Sequence, residues 1–177
     1  MLSLVLRHKP AAIGIAVDSN GWTPVSQLIQ KMNNKGFKIT FETLCYVVEN
    51  NNKKRFAFNA DKTKIRASQG HSLSVDLGYE SQIPPAVLYH GTGLQSVESI
   101  LSNGLLKKNR QHVHLSTDVQ TAKKVGQRKG QPVVLIIDSA QMQQKGFHFF
   151  VSENTIWLTD HVPSIYIQVL NRSKSKV

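Results

Sequence analysis

RFAFNADKTKIRAS, residues 55–68, decides how the first part of this chain is read. Arg55–Asn59 and Lys64–Ser68 read as two short strands. Ala60-Asp61-Lys62-Thr63 between them is a turn, so the stretch predicts a β-hairpin. Three helical patterns precede it. Residues 2–8 form a short apolar helix stopped by Pro10. After the turn Asp18-Ser19-Asn20-Gly21, TPVSQLIQKM (23–32) offers Thr23 as N-cap and Pro24 as the first helical residue. Thr40 opens another helix through FETLCYVVEN (41–50), with Phe41, Leu44, Cys45 and Val48 on one face. Helices followed by a two-stranded ribbon predict a winged-helix-like module over residues 1–70.

Downstream the rhythm changes. Residues 71–85 are polar, contain glycine and end in Pro84-Pro85, which reads as a linker. AVLYHGT (86–92) then predicts a strand, and LQSVESILSNG (94–104) a helix closed by Gly104 as a left-handed cap. HVHLS (112–116) is a second strand, followed by TDVQTAKKVG (117–126), a helix capped by Thr117. PVVLIID (132–138) is continuously apolar, the pattern of a strand buried on both faces. FHFFVS (147–152), TIWLT (155–159) and SIYIQVL (164–170) are further strands. Residues 86–170 therefore predict a strand-rich lobe, residues 171–177 a tail, and the chain as a whole an α+β fold.

The 177 residues carry 22 Lys+Arg against 11 Asp+Glu, a net charge of +11 spread over both halves. A pI near 9.9 points to an anionic partner, nucleic acid first. The single cysteine, Cys45, excludes an internal disulfide and a cysteine-based zinc cluster, and suits a reducing cytosol. No apolar run reaches the roughly 20 residues of a membrane helix, and MLSLVLRHKP is not a signal peptide. A soluble, cytoplasmic monomer is the expectation.

Four cationic clusters stand out: Arg7-His8 closing the first helix, Lys53-Lys54-Arg55 entering the hairpin, Lys107-Lys108-Asn109-Arg110, and Lys123-Lys124 with Arg128-Lys129. Solvated surface charge explains most lysines. Arginines at strand entries point further, because a planar guanidinium offers paired donors to a phosphate. Histidines are the second signal. His90 stands in Tyr-His-Gly-Thr after a strand, where Gly91 would let a ligand approach the backbone and Thr92 adds a hydroxyl. His112 and His114 alternate along a strand, but acidic or cysteine ligands at metal spacing are missing nearby, so no metal site is expected. There is no nucleophile elbow, phosphate loop or dinucleotide glycine fingerprint. The chemistry these residues favour is charge stabilisation on phosphates.

Together, LSLVLRHKP, DSNGW, KRFAF, IRASQGHS, LYHGT, ILSNGL, the run from Arg110 through HVHLS, VGQRKGQPVVLIID and WLTDHVP resemble the RNA 2′-phosphotransferase family, in family order over most of the chain. The resemblance implies an N-terminal winged-helix RNA lobe and a C-terminal ADP-ribosyltransferase-like lobe that binds NAD as co-substrate. It implies a catalytic set of Arg7, His8, Arg55 and Arg110 at a cleft between lobes, and RNA contacts from Lys53 and Lys54. NAD contacts would come from His90, Gly91, Thr92, His114, Ser116 and Arg128. The implied reaction has two steps. An internal RNA 2′-phosphate attacks NAD and releases nicotinamide, giving RNA 2′-phospho-ADP-ribose. Transesterification then frees RNA 2′-hydroxyl and ADP-ribose 1″,2″-cyclic phosphate. The implied RNA is tRNA-like, from splicing or repair. A different ADP-ribosyltransferase, acting on nucleic-acid ends or protein, and a winged-helix binder without activity are the rival readings.

Overall fold

Val5 and Leu6 have no solvent-accessible surface, and they anchor the helix Leu2–Arg7 (α1) by its apolar side. The computed structural model describes residues 1–51 and 53–170, so the tail at 171–177 lies outside the described residues. These fold as mixed α/β structure with several small antiparallel sheets. They group into two units: Met1–Tyr79 with Asn109–Gln111 and Ser152–Thr155, and the remainder.

In the first unit the chain runs through α1, the strand Thr23–Pro24 (β1), the helices Val25–Asn34 (α2) and Phe41–Glu49 (α3), and the strands Phe56–Phe58 (β2) and Lys64–Ala67 (β3). The helix α2 buries Val25, Leu28 and Met32, the spacing of one helical face. They pack with Val5, Leu6, Leu44, Phe56 and Ile65 into one core. The hairpin forms as expected, pairing Phe56 with Ala67 and Phe58 with Ile65.

Two local expectations shift. Thr23 is not the cap of α2: it pairs with Ile65 in β1, and Pro24 is extended with ψ 132°. The helix starts one residue later, where the Val25 N–H donates to the Thr63 carbonyl at 2.8 Å. On α3 only Leu44 is fully buried, whereas Phe41 is 41% exposed and tilts against the Phe58 ring at 6.2 Å. The cap at Thr40 is as expected, its hydroxyl accepting from the Thr43 N–H at 3.2 Å.

The second unit contains, in order, Val87–Gly93 (β4), Val97–Asn103 (α4), Leu105–Leu106 (β5), Val113–Leu115 (β6), Val119–Gly126 (α5), Pro132–Asp138 (β7), Ser139–Gln144 (α6), Phe149–Val151 (β8), Trp157–Thr159 (β9), His161–Val162 (β10) and Ile167–Val169 (β11). Apolar β7 is the central strand of β11-β7-β4, and a second sheet runs β6-β9-β8. Leu88, Leu115, Leu135, Ile137 and Phe149 fill the core between these elements.

Three helix ends differ from the sequence expectation. Asp118, not Thr117, caps α5, its carboxylate accepting from the Thr121 N–H at 2.6 Å. Asp138 ends β7 and caps the unforeseen α6 through the Gln141 N–H at 2.9 Å. Gly104 has φ 79° but an extended ψ of −179°, so it is no left-handed cap. A Cβ there would lie 2.3 Å from the Val162 carbonyl oxygen, and close backbone approach explains the glycine.

Candidate active site

Arg7 is the last residue of α1 and His8 is its C-cap. Because Val5 and Leu6 are buried, neither side chain can swing with a frayed end. Arg7 Nη2 donates to the Arg55 carbonyl at 3.4 Å, and its guanidinium stands 6.0 Å from the centre of the Phe56 ring. Burial first, then the charges on Arg55 and Arg110, push Arg7 down to about 10. It remains cationic at neutral pH, but three like charges are held together at a cost. Arg7 Nε is buried without a hydrogen-bond partner, and the Arg55 guanidinium has neither a hydrogen bond nor an ion pair among the described residues. Such an arrangement is suited to an anion that brings its own acceptors.

Residues 68–75 tie the three cation-bearing segments together. The Ser68 N–H donates to the Arg55 carbonyl at 2.9 Å, and the Ser72 N–H to the Arg7 carbonyl at 3.0 Å. Gln111, next to Arg110, donates its N–H to the His71 carbonyl at 3.2 Å and its side-chain amide to the Val75 carbonyl at 2.7 Å. Ser72 Oγ also meets His8 Nδ1 at 3.0 Å. One short stretch thereby fixes Arg7, His8, Arg55 and Arg110 on a single unit. His8 is held below the ordinary histidine value by burial, then by Arg7 and Arg110, so it is neutral at pH 7. A neutral imidazole can give or take a proton.

His71 is fully buried with both ring nitrogens unpartnered, and burial, followed by the charges of Arg7, His8 and Arg66, lowers it to about 4. Sequence reading assigned no role to His71 or Ser72. The usable signal was a histidine and a serine directly after the hairpin, within an otherwise polar stretch. Arg66 illustrates the opposite case: it pairs with Glu153 and stacks on Trp22 at 4.4 Å, so its charge is already engaged. Lys53 and Lys54 are exposed just before Arg55. The Lys53 carbonyl accepts from Asn154 at 2.8 Å, and the Lys54 carbonyl from Ser68 Oγ at 2.9 Å.

In the second unit, His90, Gly91 and Thr92 lie on β4 and His114 on β6. Among the described residues, the pairing that joins the two larger sheets is the Tyr89–Ser116 bridge, with hydrogen bonds of 2.7 and 2.8 Å. The His90 ring is oriented there by its Nδ1 contact with the His114 carbonyl at 3.0 Å. Ser116 Oγ donates to the Asp118 carbonyl and accepts from the Asp118 N–H, shaping the turn into α5. Gly91 serves packing: a Cβ would fall 1.7 Å from the Ala122 carbonyl oxygen of α5. The space the missing side chain leaves on that side is filled by the helix backbone. Arg128 is exposed in the turn Gln127–Lys129 after α5. His112 precedes β6, tilts against the Phe150 ring at 5.7 Å, and is lowered chiefly by burial. No group of three or more His, Cys, Asp or Glu able to hold a metal ion occurs among the described residues.

Residues 1–161 match the model of the RNA 2'-phosphotransferase, Tpt1 / KptA family. A protein of Flavobacterium johnsoniae described as a probable RNA 2'-phosphotransferase is 56% identical, covering 94% of this chain and 92% of the relative. Proteins of the same description from Fusobacterium nucleatum and Trichormus variabilis are 50% and 48% identical, covering 94% and 96% of this chain and 94% and 93% of theirs. With the match spanning nearly the whole sequence, the chain belongs to the RNA 2'-phosphotransferase, Tpt1 / KptA family.

Proposed function

We propose that this protein removes an internal 2′-phosphate from RNA and transfers it to NAD, yielding RNA 2′-hydroxyl, nicotinamide and ADP-ribose 1″,2″-cyclic phosphate. The observation that carries this reading is the Arg7–Arg55–Arg110 cluster with His8, where like charges are gathered and the Arg55 guanidinium has no hydrogen bond or ion pair among the described residues. A 2′-phosphate dianion would relieve that repulsion and supply acceptors to Arg7 Nε and Arg55. In the first step the arginines hold the phosphate as a positioned nucleophile. In the second, charge redistributes over the phosphoryl group and fixed guanidinium donors stabilise the transition state. His8, neutral and oriented by Ser72, exchanges the proton of the attacking hydroxyl.

NAD enters as co-substrate and supplies the ribose that accepts the phosphate. The second unit suits it by donor set: the oriented imidazole of His90 and the backbone and hydroxyl groups around the Tyr89–Ser116 bridge. His90, Thr92, His114 and Ser116 are its proposed contacts, with Gly91 beside them on β4 and Arg128 in the turn after α5. On this reading residues 1–70 act as a winged-helix RNA lobe with Lys53 and Lys54 on the backbone, residues 71–85 as linker, and residues 86–170 as an ADP-ribosyltransferase-like lobe. The setting is cytoplasmic, the protein monomeric and the RNA tRNA-like.

Incubation with NAD and a 2′-phosphorylated oligonucleotide tests the proposal. Nicotinamide and the cyclic phosphate should form together, in equal amounts. A stable ADP-ribosylated RNA or protein, with no cyclic phosphate, would instead mark a different ADP-ribosyltransferase.

A further inference from the structure

Tyr46 projects from α3 with 68% of its surface exposed, two residues past the buried Leu44 and so on the opposite side of the helix. With Val47, Asn50, Asn51, Lys53 and Arg55 it lines an open groove of about 460 Å³. That volume is within the range of small-ligand sites and holds a nucleoside. Asn50 donates its side-chain amide to the Tyr46 carbonyl at 3.0 Å, which ties the helix end that carries the ring. The lining has two cations and no carboxylate, so its occupant is an anion. The exposed aromatic ring asks for a flat, stackable one. Arg55 belongs both to this groove and to the arginine cluster. The occupant is therefore connected to whatever the cluster holds.

We infer that the groove is a subsite for the nucleotide adjoining the 2′-phosphorylated one, with its base stacked on Tyr46 and its phosphodiester beside Lys53. This rests on the proposed RNA activity and extends it, because it makes the substrate an RNA strand bound through a flanking nucleotide. Stacking is tolerant of base identity, so the subsite would add affinity without strict sequence choice.

The experiment is a binding cycle with a trinucleotide whose central residue carries the 2′-phosphate. Its partners are the same molecule made abasic at either flank. For the wild-type protein, one abasic flank should weaken binding about tenfold, the scale of one lost stack. Tyr46→Ala should weaken the intact trinucleotide about tenfold and show no further loss with that abasic RNA, while Tyr46→Phe binds as wild type. Thermal melting confirms the fold, which an exposed side chain does not threaten. Wild-type affinity in Tyr46→Ala, or losses that simply multiply, would overturn the subsite. Nicotinamide release from NAD, followed separately, reports on the activity itself. A protein that shows the Tyr46–base coupling yet releases none keeps the subsite and loses the phosphotransferase reading.

Discussion

Ser72 holds His8 through a hydroxyl, which can donate or accept and so keeps its contact whichever ring nitrogen bears the proton. Replacing it by alanine leaves the ring free to rotate and costs one hydrogen bond, about 1 kcal/mol. Ser72→Ala should lower kcat about five- to tenfold with little change in KM, and Ser72→Thr should restore it. An unchanged kcat in Ser72→Ala would show that His8 needs no orientation. The arginines carry a larger load. On the proposed mechanism Arg55→Ala or Arg110→Ala removes a donor to the phosphoryl group, and one such donor typically contributes about 3–4 kcal/mol, two to three orders of magnitude in rate. Because the second step places the greater demand on that charge, RNA 2′-phospho-ADP-ribose should accumulate and be visible on a denaturing gel. Lysine at either position should rescue only in part, since it lacks the planar fork. Wild-type turnover in both alanine variants would return these arginines to the solvated surface.

At the scale of elements, the glycines of the β4–α5 contact set how closely a helix can lie on a sheet. A Cβ on Gly91 would sit 1.7 Å from the Ala122 carbonyl oxygen, backbone that can move only if α5 moves. Gly91→Ala should therefore destabilise the protein by more than about 2 kcal/mol, the range of overpacked interiors. A urea melt reads this without NAD; an unshifted midpoint would mean α5 tolerates displacement. The elements themselves were largely legible from the sequence, and the reasons are local. Two short strand-like runs joined by the turn at residues 60–63 predicted the hairpin, and apolar continuity in 132–138 predicted the central strand. What failed depended on specific partners that the local pattern does not name, some of them distant in the chain. Thr23 was drawn from a cap into a strand by Ile65, and Asp118 displaced Thr117 because its carboxylate reaches the Thr121 N–H. The cation clusters could be seen as candidates for one site. Their fastening could not, since the His8–Ser72 contact joins residues 64 apart, in a stretch whose polarity suggested only a linker.

For the molecule as a whole, burial, together with the neighbouring cations, makes the protonation of one histidine a matter of stability. His71 is fully buried without ring partners, beside Arg7, and its value falls from 6.5 to about 4. The unfolded chain therefore binds a proton between pH 6.5 and about 4 that the folded chain refuses. Linkage then gives the sign: the full contribution is present above pH 6.5 and is lost progressively as pH falls toward 4. The shift corresponds to on the order of 3 kcal/mol at most. His8 and His112 are lowered too and act in the same direction. Function follows stability here, because the His71 carbonyl and Ser72 bind the segments that carry Arg110, Arg7 and His8. Protonating His71 would add another cation to that cluster. Urea midpoints measured at pH 7, 6 and 5 should fall steadily for the wild type. His71→Leu, which removes both the unpartnered nitrogens and the proton site, should give a flatter dependence. If the two curves ran parallel over that window, His71 would bind its proton equally in the folded and unfolded protein, and the acid sensitivity would belong to other groups.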